Sequence, residues 1–137
     1  MNTPAEQVEA LDTVLVVEDD VLIRSSIAEY LRHCGYRVLE AANADEAMII
    51  LQKATIPVEV LFSGVAMPGT MNGFALAKRA REVRPGLEVI LAGTVERAAH
   101  EAADLCEDSP LPKPYEPQVV ADRIKRLLAA RRRQGKS

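Results

Sequence analysis

Two adjacent acidic residues, Glu18 and Asp19, follow directly after the apolar run Thr13–Val17. Neighbouring carboxylates repel each other unless a cation joins them. Hard oxygen ligands of this kind suit Mg²⁺, which commonly takes one or two carboxylates and keeps several waters. Acids in this place can also cap a helix and interact with its dipole. The pair therefore predicts either a metal site or the start of a helix.

A second residue with possible chemistry, Lys113, stands before Pro114 and after the short apolar segment Ser109–Leu111. A lysine in such a turn can donate to an anion or pair with acidic side chains. Whether it meets Glu18 and Asp19 depends on the elements between them.

Short apolar segments rich in β-branched residues alternate along the chain with longer segments of helical period. We predict five strands, at Thr13–Val17, Tyr36–Ala41, Val58–Ser63, Leu87–Ala92 and Ser109–Leu111. We predict five helices, over residues 23–34, 44–51, 74–84, 95–106 and 116–133. Gly35 would end the first helix, and Asn43 would cap the second.

Strict alternation of this kind implies a parallel sheet with helices on both faces, because parallel strands need crossover connections and are buried on both sides. Such sheets bind ligands at the carboxyl ends of their strands. Chemistry is therefore expected after Val17, Ser63, Ala92 and Leu111. Lys113 would then lie at the same edge as the acidic pair.

Length and composition limit the alternatives. The chain of 137 residues is 48% hydrophobic and 27% charged with a net charge of −3, which predicts one folded domain rather than a disordered chain or a strongly basic nucleic-acid binder. No apolar run approaches the ~18 residues of a membrane span, and the first dozen residues are unlike a secretory signal. We expect a soluble, cytoplasmic protein in which Cys34 and Cys106 are free thiols.

The basic run Arg131–Arg133 is interpreted as a solvated helix end that complements the helix dipole, since no aromatic platform for nucleic acid accompanies it. We therefore expect neither a nucleic acid nor a membrane as partner. The predicted organisation is an N-terminal segment 1–12, a domain 13–130 and a basic C-terminal tail 131–137.

Three motifs, in this order and at this spacing, resemble the receiver domain of two-component response regulators. They are Val14–Asp20 (VLVVEDD), Met67-Pro68-Gly69 with Asn72-Gly73, and Leu111–Tyr115 (LPKPY). The resemblance runs from about Thr13 to Leu128 and includes receivers of hybrid histidine kinases and small stand-alone regulators of proteobacteria. It implies an α/β, flavodoxin-like (CheY-like) three-layer sandwich, with a five-stranded parallel sheet of order 2-1-3-4-5 and five helices.

The resemblance also implies roles for single residues. Glu18 and Asp19 would bind Mg²⁺ together with the backbone carbonyl of Ala66, and Lys113 would contact phosphate. The phosphorylated aspartate of the family lies four residues before the proline of Met-Pro, and this position is Gly64. Glycine offers no oxygen nucleophile, so an acyl phosphate cannot form there. Mg²⁺ binding is expected to be weak or absent because one carboxylate is missing.

Two switch positions of the family are also replaced. The Ser/Thr switch falls on Gly93, where the alignment could shift by one residue and where Thr94 could partly substitute. The switch aromatic falls on Pro110. Ser63 is expected to point to the opposite side of its strand from residue 64, and Asp20 is expected to begin a helix, so neither is a good substitute acceptor.

The sequence thus favours a signalling module without enzymatic activity that binds its partner independently of aspartyl phosphorylation. The partner would be a sensor histidine kinase or another signalling protein. A homodimer through the fourth helix, fifth strand and fifth helix is also possible. We further hypothesise that Lys113, deprived of one acceptor, pairs with Glu18 or Asp19 and substitutes for Mg²⁺.

Two alternatives stay open. One is an ordinary phospho-accepting regulator seen as a variant, natural or engineered, that has lost its aspartate. The other is an unrelated enzyme on the same fold, which would need a nucleophile or base that the sequence does not reveal. The chain is expected to be either a stand-alone regulator or a piece of a larger protein.

Overall fold

A computed structural model describes residues 12–67, 69, 71–93 and 116–134. Within this part of the chain, strands and helices alternate. The strands are β1 (Thr13–Val17), β2 (Arg37–Ala41), β3 (Val60–Gly64) and β4 (Glu88–Ala92). The helices are α1 (Val21–His33), α2 (Ala44–Leu51), α3 (Gly73–Val83) and α4 (Pro117–Arg133).

The four strands form one parallel sheet in the order β2-β1-β3-β4. This order agrees with the first four strands of the expected 2-1-3-4-5 sheet. The predicted fifth strand (109–111) and the predicted helix over 95–106 lie outside the described residues, so α4 corresponds to the predicted fifth helix. The alternating pattern thus predicted the type and order of every described element.

The sheet separates two apolar cores, because alternate residues of each strand face opposite sides. Leu15 and Val17 of β1 pack with α2 and α3, whereas Val14 and Val16 pack with α1 and α4. All five residues of the central strand β1 are buried. The result is the three-layer, flavodoxin-like sandwich in which parallel strands are covered on both faces.

Side-chain caps fix where three of the helices begin. Asp20 accepts hydrogen bonds from the backbone N–H groups of Leu22 and Ile23, at 2.9 and 3.0 Å. Asn43 and Asn72 cap α2 and α3 in the same way. Because Asn72 is the cap, α3 begins at Gly73, one residue before the predicted start.

Helix α4 continues through Arg133, in agreement with the helix predicted over residues 116–133. Arg131 Nη1 donates to the carbonyl of Glu59 at 3.2 Å, and Arg132 pairs with Asp12 at 3.5 Å. These contacts attach the end of α4 to the start of the sheet. None of the described helices is both long and apolar enough for a membrane span.

Candidate functional site

The candidate site lies at the carboxyl ends of β1, β3 and β4. The sheet register pairs Val17 with Ser63 and Gly64 with Ala92, so the residues that follow these strands meet at one edge. Glu18, Gly64 and Gly93 are thereby brought together, as the order of strands and motifs predicted. This edge is where parallel α/β sheets bind their ligands.

Glu18 is a buried carboxylate, with 1% of the residue exposed. Its Oε2 atom accepts a hydrogen bond from the backbone N–H of Asp20 at 3.0 Å, which holds the side chain inward. The backbone of Glu18 is fixed as well, since its N–H donates to the carbonyl of Ala41 and its own carbonyl accepts from Arg24. Glu18 is therefore a positioned acid at the centre of the edge.

The three consecutive acids have three different roles. Asp20 is the cap of α1, and Asp19 is exposed to solvent. Only Glu18 points into the fold. The capping interpretation of the acidic pair thus does not hold for Glu18 and Asp19, because the next residue, Asp20, takes that role.

Gly64 is the last residue of β3 and lies directly against Glu18. A Cβ atom built on Gly64 would stand 3.3 Å from Glu18 Oε1 and 4.0 Å from Met67 Cγ. The carboxylate of Glu18 therefore borders the space that a side chain at residue 64 would enter. Because its tip is flexible, a shift of a few tenths of an ångström would admit a Cβ atom at residue 64.

The backbone after β3 is packed more tightly than the sequence indicated. A Cβ atom on Gly73 would overlap the carbonyl oxygen of Gly64 and lie 2.9 Å from Val65 Cα. A Cβ atom on Gly93 would lie 2.9 Å from both Val65 Cβ and Val65 Cγ2. Val65 thus occupies the space over Gly93, where the resemblance expects a hydroxyl-bearing residue.

Hydrogen bonds hold this segment in place. Val65 donates its N–H to the carbonyl of Ala92, and its own carbonyl accepts from the N–H of Gly73, both at 2.8 Å. Val65 is also part of the apolar core on the α2–α3 face. These contacts join the end of β3 to both β4 and the start of α3.

Ser63, the hydroxyl nearest to Gly64 in sequence, is completely buried. Its Oγ atom donates to the carbonyl of Gly64 at 2.9 Å and lies 3.9 Å from Met67 Sδ. A hydroxyl in this position serves the local backbone and is not directed to solvent at the edge. This geometry agrees with the expectation that Ser63 does not substitute for a missing acceptor.

Of the expected Mg²⁺ ligands, only the Glu18 carboxylate is buried in the described part of the site. No three His, Cys, Asp or Glu residues in the described ranges come close enough to share a metal. Glu18 Oε2 already accepts the N–H of Asp20, and Ala66, whose carbonyl was the third expected ligand, is an exposed residue after β3. Lys113, Thr94 and Pro110 lie outside the described residues, so their expected roles stay predictions.

Sequence reasoning missed the importance of Val65 and Gly73. Both residues matter because neighbouring segments of the chain approach them closely. Neither residue type nor spacing along the sequence indicates such distances. The one available signal was the pair Asn72-Gly73, a cap followed by the residue with the smallest side chain.

Comparisons with known proteins agree with this fold. The family described as "Response regulator receiver domain" matches residues 14–125. The response regulator receiver protein CpdR of Brucella abortus is 30% identical over 119 residues, which cover 85% of this chain and 97% of that protein. The sensor kinase CckA of the same organism is 34% identical over 120 residues, but these are only 12% of its length.

Solved structures give the same result. The receiver domain of the hybrid histidine kinase CckA is 35% identical with a TM-score of 0.69, covering 83% of this chain and 96% of that one. A CheY-like receiver domain from Methanospirillum hungatei has a TM-score of 0.83 at 24% identity, covering 91% and 99%. The chain therefore belongs to the response regulator receiver domain family of two-component signal transduction.

Proposed function

We propose that this chain is a receiver module that binds its signalling partner without being phosphorylated on an aspartate. The observation that carries the proposal is Gly64, the last residue of β3, which the resemblance aligns with the acceptor position of the family motif. A glycine contributes only backbone atoms, so the attack of a carboxylate on a phosphodonor has no nucleophile here.

The surroundings of Gly64 support the proposal. Glu18 is held inward by the N–H of Asp20, and Ser63 donates to the neighbouring carbonyl. Neither oxygen group is directed outward at the edge of the sheet. The packing of Val65 over Gly93 argues in the same direction, since it leaves little space for a hydroxyl that would follow a phosphoryl group.

The partner is proposed to be a sensor histidine kinase or another signalling protein. Receiver-containing relatives include both sensor kinases and response regulators. Helix α1 begins with Val21 and Leu22, which are 60% and 81% exposed, beside the acids of the site. Large apolar side chains at this exposure are compatible with contact to another protein. A homodimer through the predicted fourth helix, fifth strand and fifth helix stays a proposal.

The decisive experiment uses a small-molecule phosphodonor with Mg²⁺, followed by intact mass measurement. We expect no mass increase for the unmodified chain and a gain of one phosphoryl group for Gly64→Asp. The variant is expected to fold because, among the described residues, the only close neighbour of a Cβ atom at residue 64 is the flexible tip of Glu18.

Gly64→Asn is the matched control, since it fills the same space without a carboxylate nucleophile. A phosphoryl group on the unmodified chain would overturn the proposal. If only Gly64→Asp is phosphorylated, the unmodified chain fails to react because of residue 64. Modification of Gly64→Asn would place the acceptor at another residue.

A further inference from the structure

A cavity of about 390 Å³ lies at the amino-terminal edge of the sheet, opposite to the edge that carries Glu18 and Gly64. Its wall is built from the end of α2, the end of α3, the residues before β3 and β4, and Arg131 of α4. Exposed apolar side chains contribute part of this wall, namely Ala54, Val83 and Pro85. Cavities of this size with an apolar wall and a few polar groups are typical of small-molecule sites.

Two arginines line this cavity, Arg84 from the end of α3 and Arg131 from α4. Arg84 donates from Nε to the carbonyl of Leu51 at 3.1 Å and from Nη2 to the carbonyl of Lys53 at 2.8 Å. Arg131 donates from Nη1 to the carbonyl of Glu59. These bonds fix both guanidinium groups in place and leave further N–H groups on each, since a guanidinium has five.

The partners of these two guanidinium groups differ from those of three other arginines in the described chain. Arg24 and Arg32 both pair with Glu40, and Arg132 pairs with Asp12. Within the described ranges, the bonds of Arg84 and Arg131 go to neutral carbonyls, and no acidic residue lines the cavity. Among the residues that the structure describes, no carboxylate is a counter-ion of these two positive charges.

Gly86 leaves the mouth of the cavity open beside Arg131. A Cβ atom on this glycine would lie 3.7 Å from Arg131 Nη2, so this nitrogen borders the space above the turn that joins α3 to β4. A planar guanidinium with unused N–H groups is suited to phosphate and carboxylate groups.

We propose that this cavity binds a small organic anion, with its charged group on Arg84 and Arg131 and its apolar body against the exposed side chains of Ala54, Val83 and Pro85. Phosphate esters of small apolar alcohols combine both features. This site would be separate from the edge that contains Gly64, and its existence does not depend on the proposed function.

The test is a titration of the complete chain with phenyl phosphate, followed by NMR of the backbone amides. We expect shifts at Gln52, Gly86 and Leu87 and no shifts at Glu18 or Gly64. Inorganic phosphate should bind more weakly because it lacks the apolar body, and phenol more weakly because it lacks the charge. Equal affinity for phenol and phenyl phosphate would overturn the assignment of the arginines.

Variants distinguish binding from structure. Arg131→Gln should weaken phenyl phosphate binding about tenfold or more, because the phosphate loses a hydrogen bond from a charged donor. Arg133→Gln, on the same helix but exposed, is the control and should bind normally. Arg84→Lys keeps the positive charge, and it should therefore weaken binding less than Arg84→Gln does. Unchanged affinity in both cavity variants, or no shifts with any probe, would refute the site.

Discussion

Gly73 has no room for a side chain, because its Cα faces the carbonyl of Gly64 and the backbone of Val65. We predict that Gly73→Ala lowers the free energy of unfolding by about 1–3 kcal/mol, the usual cost of overpacking a rigid site. Urea unfolding would measure this loss. Gly86→Ala is the control, since its nearest neighbour would be 3.7 Å away. A cost for Gly86→Ala equal to that of Gly73→Ala would contradict the steric argument.

Val65 and Gly93 should behave as a coupled pair. We predict that Gly93→Ser is destabilising, because its Cβ would lie 2.9 Å from Val65 Cβ, an atom fixed by the backbone. Val65→Ala would remove the Cγ2 contact and part of this cost. A double-mutant cycle should then give a coupling free energy of about 0.5–3 kcal/mol. If the effects of the two substitutions on the free energy of unfolding simply add, the side chains at residues 65 and 93 are not in contact.

The raised pKa of Tyr36 predicts that the free energy of unfolding changes at alkaline pH. Burial, and to a smaller extent the charge of Asp12, raises the pKa of Tyr36 above its ordinary value of 10.0. The unfolded chain therefore loses this proton first, so the contribution of Tyr36 is fully present below pH 10.0 and is lost as pH rises through the higher folded-state pKa. Urea midpoints between neutral pH and pH 11 should fall less for Tyr36→Phe than for the unmodified chain. An equal fall would refute this role.

At the scale of elements, the turn between β1 and α1 contains two acids with different roles, because Asp20 caps α1 and Asp19 is exposed to solvent. We predict that Asp20→Ala costs about 1 kcal/mol of stability, because two backbone N–H groups at the start of α1 lose their acceptor. Asp19→Ala changes an exposed neighbour and should stay within about 0.5 kcal/mol. Thermal unfolding of both variants would compare them directly, and a larger loss for Asp19→Ala would reverse the assignment.

The elements could be predicted well from the sequence because their signals are local. The bounds of β1 and α2 agree with the prediction, since apolar runs and the cap Asn43 specify them. Strand β3 differs, starting at Val60 and including Gly64, because its ends depend on pairing with β1 and β4 and not on composition.

The candidate site could be predicted only in part. Residue types indicated Glu18 and Asp19, the resemblance to the family indicated Gly64, and the parallel topology predicted their common edge. The inward direction of Glu18 depends on its bond from the N–H of Asp20, and the closeness of Val65 to Gly93 depends on how β3 and β4 pack. Such three-dimensional distances have no local sequence signal.

For the whole molecule, the proposed lack of an acceptor carboxylate at Gly64 predicts that stability hardly depends on Mg²⁺. A ligand stabilises the folded state according to its concentration relative to Kd, so weak binding gives little stabilisation. We expect the urea midpoint of the unmodified chain to be the same in millimolar Mg²⁺ and in chelator, and that of Gly64→Asp to rise with Mg²⁺. A rise of the same size in both proteins would show that residue 64 is not needed for metal binding.

The ion pair between Arg132 and Asp12 has a consequence for protein engineering. It places Asp12, which precedes β1, and Arg132, near the end of α4, on the same side of the molecule, away from Glu18. A fluorescent protein or surface tether attached at either point would therefore leave the acidic edge accessible, and closing the two points with a short linker would allow new termini to be opened in an exposed turn elsewhere.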